Sequence, residues 1–161
     1  MSKSELKIVK VGSKNGKTFV HAEEDKGGDI IKITLESDQP ANPEFHEALG
    51  ELGKYMCGML GFPSEWTAAH SCNSVSIGHE EDDRTNAVVS MYVTLAKFNN
   101  GLSINSPCLR EKVAGKAGGG SFMPEKMLDL VNEVVEQGLK YYEGDRAQQS
   151  LLANEASGDE D

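Results

Sequence analysis

The chain has 161 residues, 38% hydrophobic and 26% charged, with 17 Gly and 5 Pro. This is the length of one domain with enough apolar content for a core, which excludes a wholly disordered chain. The formal net charge of −10 disfavours nonspecific nucleic-acid binding, since basic groups must be concentrated locally before phosphates approach.

The first 37 residues read as a three-stranded meander. Leu6, Ile8 and Lys10 alternate with Lys7, Val9 and Val11, and Asn15-Gly16 supplies a hairpin turn. Thr18 to Ala22 forms the second strand. After the turn at Lys26–Asp29, Ile31, Ile33 and Leu35 alternate with Lys32, Thr34 and Glu36 in the third.

A helix follows. Asn42 is placed to cap it, Pro43 suits the first helical position and Glu44 complements the dipole. Phe45, Ala48, Leu49, Leu52, Met56, Met59 and Leu60 recur at helical spacing until Gly61 supplies a stop, with Pro63 beyond. Gly50, Gly53 and Gly58 each weaken the helix by about 1 kcal/mol relative to Ala, and such glycines admit close approach to strands.

A second hairpin pairs a strand over residues 73–78 with a long one from Ala87 to Phe98, joined by a turn over residues 79–86. Val89, Met91, Val93 and Leu95 fall on one side of the long strand. Its apolar character on both faces places it near the centre of a sheet. Leu102 to Asn105 is a short strand stopped by Pro107. Residues 111–121 form a flexible Gly-rich loop, and Pro124 opens a second helix carrying Leu128, Val131, Val135, Leu139 and Tyr142, with Gly144 at its end. The predicted fold is α+β: an antiparallel or mixed sheet in the order βββ-α-βββ-α, with two helices on one face. The domain covers residues 1–149, and residues 150–161 are an acidic, disordered tail.

Cys57, Cys72 and Cys108 form no CxxC motif and leave one cysteine over in any pairing, which fits a reducing compartment. Met1–Leu6 lacks an apolar signal region, and no apolar run reaches about 18 residues. The expectation is a protein neither exported by an ordinary signal nor membrane-spanning.

Several chemistries follow from side chains of the right type. His70, Cys72, His79 and Cys108 are ligand types, and strand alternation puts His70 and Cys72 on one face. Their spacing matches no closed zinc motif, so no metal is assigned. No nucleophile elbow is present, and neither catalytic residues nor a cofactor are assigned. The run Glu80, Glu81, Asp82 and Asp83 in the hairpin turn is a candidate partner-binding surface, although acidic turns are ordinarily just solvated. Arg110, Lys112 and Lys116 stand in or beside the Gly-rich loop. It is not a Walker motif, since Ala117 follows Gly115-Lys116. With free backbone N–H groups and the helix start near Pro124, these three residues are a candidate anion site, a lid over a phosphorylated ligand. The bland alternative is a connector. The acidic tail is either a solubilising end or a partner-binding one. The aromatic residues fall mostly at core-like positions, which leaves no stacking platform for single-stranded DNA.

The runs Pro40–Leu49, Leu95–Asn100, Leu102–Pro107 and Tyr141–Gln148 together resemble small accessory proteins of bacteriophages and prophages, a group without an assigned activity. The resemblance implies a location in the host cytoplasm during infection and a non-structural role, and it offers no catalytic residues. It leads to the expectation of a non-enzymatic protein that inhibits or sequesters a component of a host system, a defence system first of all. Its partner would be a host protein or a phosphorylated small molecule, and a homo-oligomer is compatible with an exposed sheet edge or face. Two alternatives stay open: an accessory factor in phage recombination or replication that contacts single-stranded DNA, and a small metal-dependent hydrolase using His70 or His79.

Overall fold

The computed structural model describes residues 5–14, 16–79, 85–95, 100–111 and 122–146. Three strands open the chain: β1 (Glu5–Lys14), β2 (Lys17–Lys26) and β3 (Asp29–Ser37). Two helices follow, α1 (Pro43–Met59) and α2 (Ser64–Ala68), then β4 (His70–His79), β5 (Thr85–Leu95), β6 (Asn100–Asn105), β7 (Leu109–Glu111), β8 (Phe122–Met123) and α3 (Glu125–Tyr142). The fold is α+β, an open mixed sheet of eight strands with three helices. All described pairings are antiparallel except β7 with β8.

The strand order β3-β2-β1-β4-β5-β7-β8, with β6 also on β5, follows from one crossover. The meander ends at its outer strand, and α1 carries the chain back over the sheet so that β4 pairs with β1. Alternation then divides the sheet into two faces. The register aligns Leu35, Val20, Val11, Val75 and Val89 in one row across five strands, and its four valines are fully buried. Phe45, Leu49, Leu52 and Met56 of α1 and Met127, Val131, Val134 and Tyr141 of α3 cover this face. Each such side chain contributes about 1.5–3 kcal/mol of burial. The neighbouring row, Glu36, Phe19, Gly12, Ser74, Ser90 and Asn105, points to the opposite face, on which no described helix packs.

Both long helices end the same way. Gly61 and Gly144 adopt φ of 72° and 103°, the left-handed conformation glycine accepts without penalty. Phe62 N–H then reaches Cys57 O at 3.0 Å, and Asp145 N–H reaches Lys140 O at 2.9 Å, the closing bonds of Schellman motifs.

Four expectations change. Three strands do not separate the long helices: β7 and β8 add two, and α2 is a third helix. Asn42 precedes α1, but its side chain makes no cap; it donates instead to Asp145 Oδ1 at 2.8 Å. The stripe on α3 is turned by about one residue. Met127, Val131, Val134, Gly138 and Tyr141 are buried, whereas Leu128, Val135, Leu139 and Tyr142 are only partly so. The cause is Gly138, where a Cβ would lie 2.6 Å from Val11 Cγ2. The helix seats on β1 there, and the flanking residues follow. The fourth change concerns the aromatic residues, whose positions bear on the site.

Candidate functional site: a basic cleft where two strands part

β1 and β4 pair over three positions only, from Lys10↔Ser76 to Gly12↔Ser74. Beyond Gly12 the strands separate. On the β4 side the ladder is irregular between Cys72 and Ser74, an extra residue of the kind that bends a strand. The gap is roofed by α1, and together they form a cleft of about 830 Å³.

Its walls come from three directions. Ser13 and Lys14 end β1; His70, Ser71, Cys72 and Asn73 begin β4; His46, Leu49, Gly50 and Lys54 lie along α1, with Tyr92 of β5 at the sheet side. His46, Gly50 and Lys54 are spaced four residues apart and so share one helical stripe. No atom lies within 4 Å of where a Cβ on Gly50 would stand. Gly53 does the opposite, because its missing side chain lets His70 and Cys72 come close. This is the close approach expected of a glycine in that helix; Gly50 and Gly58 face open space.

α2, unanticipated in the sequence, holds His70. The ring Nδ1–H donates to the carbonyl of Thr67. A carbonyl only accepts, so Nδ1 carries the proton and Nε2 faces Gly53. Burial pushes the Cys72 thiol up to about 12, a donated bond from the Ser74 backbone N–H opposes this, and repulsion from Cys57 adds to it. Burial likewise raises Cys57, against a hydrogen bond with Thr67. Both groups are thiols at neutral pH, and a thiol is a poor nucleophile.

Among the described residues no carboxylate lines the cleft. Two lysines, two histidines, the hydroxyls of Ser13, Ser71 and Tyr92, and the Asn73 amide converge in a chain that carries −10 overall. The acids lie elsewhere. Glu44, Glu47, Glu51 and Glu133 line a separate groove between α1 and α3, and Glu23, Glu24 and Asp25 sit at the other end of the meander. Such a cleft favours anions, with Lys14, His46 and Lys54 exposed at its rim and their charges screened by water.

The cleft opens towards the uncovered sheet face through Tyr92, whose ring lies over Gly101. Along that face the Phe19 ring covers Gly12, tilts against His21 at 5.6 Å and has Lys10 Nζ 5.8 Å from its centroid. The aromatic residues are therefore not confined to the core. Phe45 and Tyr141 are buried, but Phe19 and Tyr92 are half-exposed on the open face.

The residues singled out from sequence fall elsewhere. Arg110 is exposed on β7 and pairs with Asn86, six positions along β5 from Tyr92, or roughly 20 Å at ~3.3 Å per residue. Lys112 and Lys116 lie outside the described residues, as do Glu80, Glu81, Asp82 and Asp83. His70 and Cys72 do share a face, their partners on β5 being Val93 and Met91. Cys108 is not beside them: it precedes Leu109, which pairs with Ala87. His79 sits at the far end of β4, its Nε2 3.3 Å from Ile8 O. Among the described residues no three His, Cys, Asp or Glu side chains form a metal-holding group, and no helix is long and apolar enough to cross a membrane. Sequence reading missed Lys14, His46, Lys54, Asn73 and Tyr92. One signal was available: a glycine between His46 and Lys54 at four-residue spacing, which marks an indentation in a polar helix face.

No protein-family model, curated protein or solved structure matches the chain.

Proposed function

We propose that the protein is a non-enzymatic binding protein whose α1–β4 cleft takes a phosphorylated small molecule and withdraws it from solution. The observation that carries this reading is the composition of the cleft: cationic and hydroxyl groups with no carboxylate among its described lining residues, in an acidic chain. Lys14 and Lys54 supply charge for a phosphate, and Asn73 and Ser71 supply hydrogen-bonding groups. Tyr92 offers a ring face to a nucleobase. A half-buried Cys72 thiol that keeps its proton and a His70 held by Thr67 suit retention better than turnover. The sequence resemblance to phage accessory proteins supports the setting, a host cytoplasm during infection and a ligand belonging to a host system, defence above all.

Titration calorimetry with inorganic phosphate and with nucleoside mono- and triphosphates tests the reading. Charge-assisted hydrogen bonds contribute about 1.5–3 kcal/mol each, so Lys14→Ala or Lys54→Ala should weaken binding of the nucleotide by roughly tenfold or more. Absence of binding by all these compounds, or affinities unchanged in both variants, defeats the proposal.

A second reading is favoured by one observation, the presence of Phe19, His21 and Lys10 on the open face that the cleft joins. Single-stranded DNA would stack there. Gel-shift titration at low salt separates the two: the DNA reading requires a shift that weakens steeply with salt, and the small-molecule reading requires none.

A further inference from the structure

The strand β3 ends the sheet. It pairs with β2 through nine consecutive positions without a bulge, and its other edge carries backbone N–H and C=O groups with no strand beside them among the described residues. Natural edges are usually blunted by proline, bulges, brevity or charged side chains; this one has nine residues and no proline, and its charges at Lys32 and Glu36 are of opposite sign. Its helix-side residues are also incompletely covered. α3 packs on β1 and β2, leaving Ile31 40% exposed and Ile33 and Leu35 only partly buried.

We infer that this edge pairs with β3 of a second copy of the chain, about a two-fold axis through Thr34 perpendicular to the sheet. The argument is self-complementarity. Directly opposed residues of an antiparallel pair share a face. With Thr34 opposite itself, Ile33 meets Leu35 of the second copy twice on the helix side. On the open side Lys32 meets Glu36 of the second copy, also twice. Ile31 then lies diagonal to the second copy's Leu35. Other centres lose this match: an axis through Ile33 sets Lys32 against Thr34, and one through Lys32 opposes two lysines. Lys32 and Glu36 are both exposed, and within the described residues neither takes part in an ion pair.

A strand pair of this length makes an interface of about 1,200 Å² or less, the low end of specific interfaces and the range of transient ones. The dimer would join two sheets into one and leave both clefts free, since β3 lines neither wall.

The test is sedimentation equilibrium of the full chain from about 1 μM to about 1 mM, with circular dichroism confirming the fold of each variant. The wild type is expected to show a monomer–dimer equilibrium. Lys32→Glu and Glu36→Lys each place like charges opposite one another and should raise the dissociation constant at least about tenfold. The double swap K32E/E36K restores the pairing and should return it to within a few-fold of wild type. A wild type that stays monomeric throughout overturns the inference. So does a dimer that the single swaps leave unchanged, or one that the double swap fails to restore.

Discussion

A methyl group on Gly53 would stand 2.9 Å from both His70 Nε2 and Cys72 Cβ, closer than side chains ever pack. The cleft's floor therefore depends on a missing side chain in α1. Gly53→Ala should overpack this contact and destabilise the protein by about 1–3 kcal/mol, partly offset by the ~1 kcal/mol that alanine contributes in a helix. It should also displace His70 from Thr67. Gly50→Ala has open space and should stabilise by up to about 1 kcal/mol. Thermal and urea unfolding of the two variants should move in opposite directions. Two equal losses would mean that α1 does not lie as described.

The cysteines give a pH dependence with a definite sign. The Cys72 thiol is pushed up to about 12 by burial, above its ordinary value of 9.0, so the native state holds a proton that the unfolded chain releases. The stability tied to this group is intact below about pH 9 and declines between about 9 and 12, by up to about 1.4 kcal/mol per pH unit. Cys57 is raised as well and adds in the same sense. Cys72→Ser should flatten the alkaline limb of a stability–pH curve. In native protein at neutral pH, a thiol reagent should modify the exposed Cys108 quickly, the half-buried Cys72 more slowly because its thiol holds its proton, and the buried Cys57 slowest. Three equally fast thiols would contradict the burial.

Ser106 closes the gap where β6 ends and β7 begins beside the same strand. Its Oγ accepts from Val89 N–H at 2.9 Å, its own N–H donates to Val89 O at 2.9 Å, and its hydroxyl donates to Pro107 O at 3.0 Å. Ser106 is 5% exposed, so Ser106→Ala strands a buried backbone donor and should cost about 1–3 kcal/mol. Ser90→Ala removes a hydroxyl bonded to Asn105 at 2.8 Å in an exposed position, where water replaces it. Its cost should stay within about 0.5 kcal/mol. Chemical denaturation of both variants makes the comparison.

The meander, α1 and the β4–β5 hairpin were legible because each buries one face and the sequence repeats at the corresponding period. The alternation through Ile31, Ile33 and Leu35 and the helical stripe from Phe45 to Met56 are examples. β7 and β8 have three and two residues, too few to show a period. α3 was recognised but rotated, since Gly138 carries no side chain to announce that it faces the core. Of the cleft, only the indentation of α1 at Gly50, between His46 and Lys54, left a trace in the sequence. The cleft arises where β1 and β4 part, and these strands become neighbours only through the crossover of α1. Lys14, Lys54 and Tyr92 are separated in sequence by 40 residues or about that, and nothing in their local patterns connects them. The basic residues of the Gly-rich loop, Arg110, Lys112 and Lys116, lie close together in the chain, a weaker criterion than convergence in space.

Asn42 tests the difference between a local and a long-range role. A capping Asn replaced by Ala costs about 1 kcal/mol whatever lies elsewhere. Here its side chain donates to Asp145 Oδ1 at 2.8 Å and to Asp145 O at 3.3 Å, tying the start of α1 to the end of α3. The same junction holds Tyr141 OH on Gln39 O at 2.5 Å, Arg146 Nη1 on Gln39 Oε1 at 2.6 Å, and the Arg146 guanidinium 4.2 Å from the Tyr141 ring centroid. In a double-mutant cycle, Asn42→Ala and Asp145→Ala should each cost about 0.5–1.5 kcal/mol. Together they should cost little more than Asn42→Ala alone, because that variant already loses the side-chain bond that Asp145→Ala removes. Additive losses would mean that Asn42 acts on its own helix after all, and that the two helix ends are held together by Tyr141 and Arg146 without it.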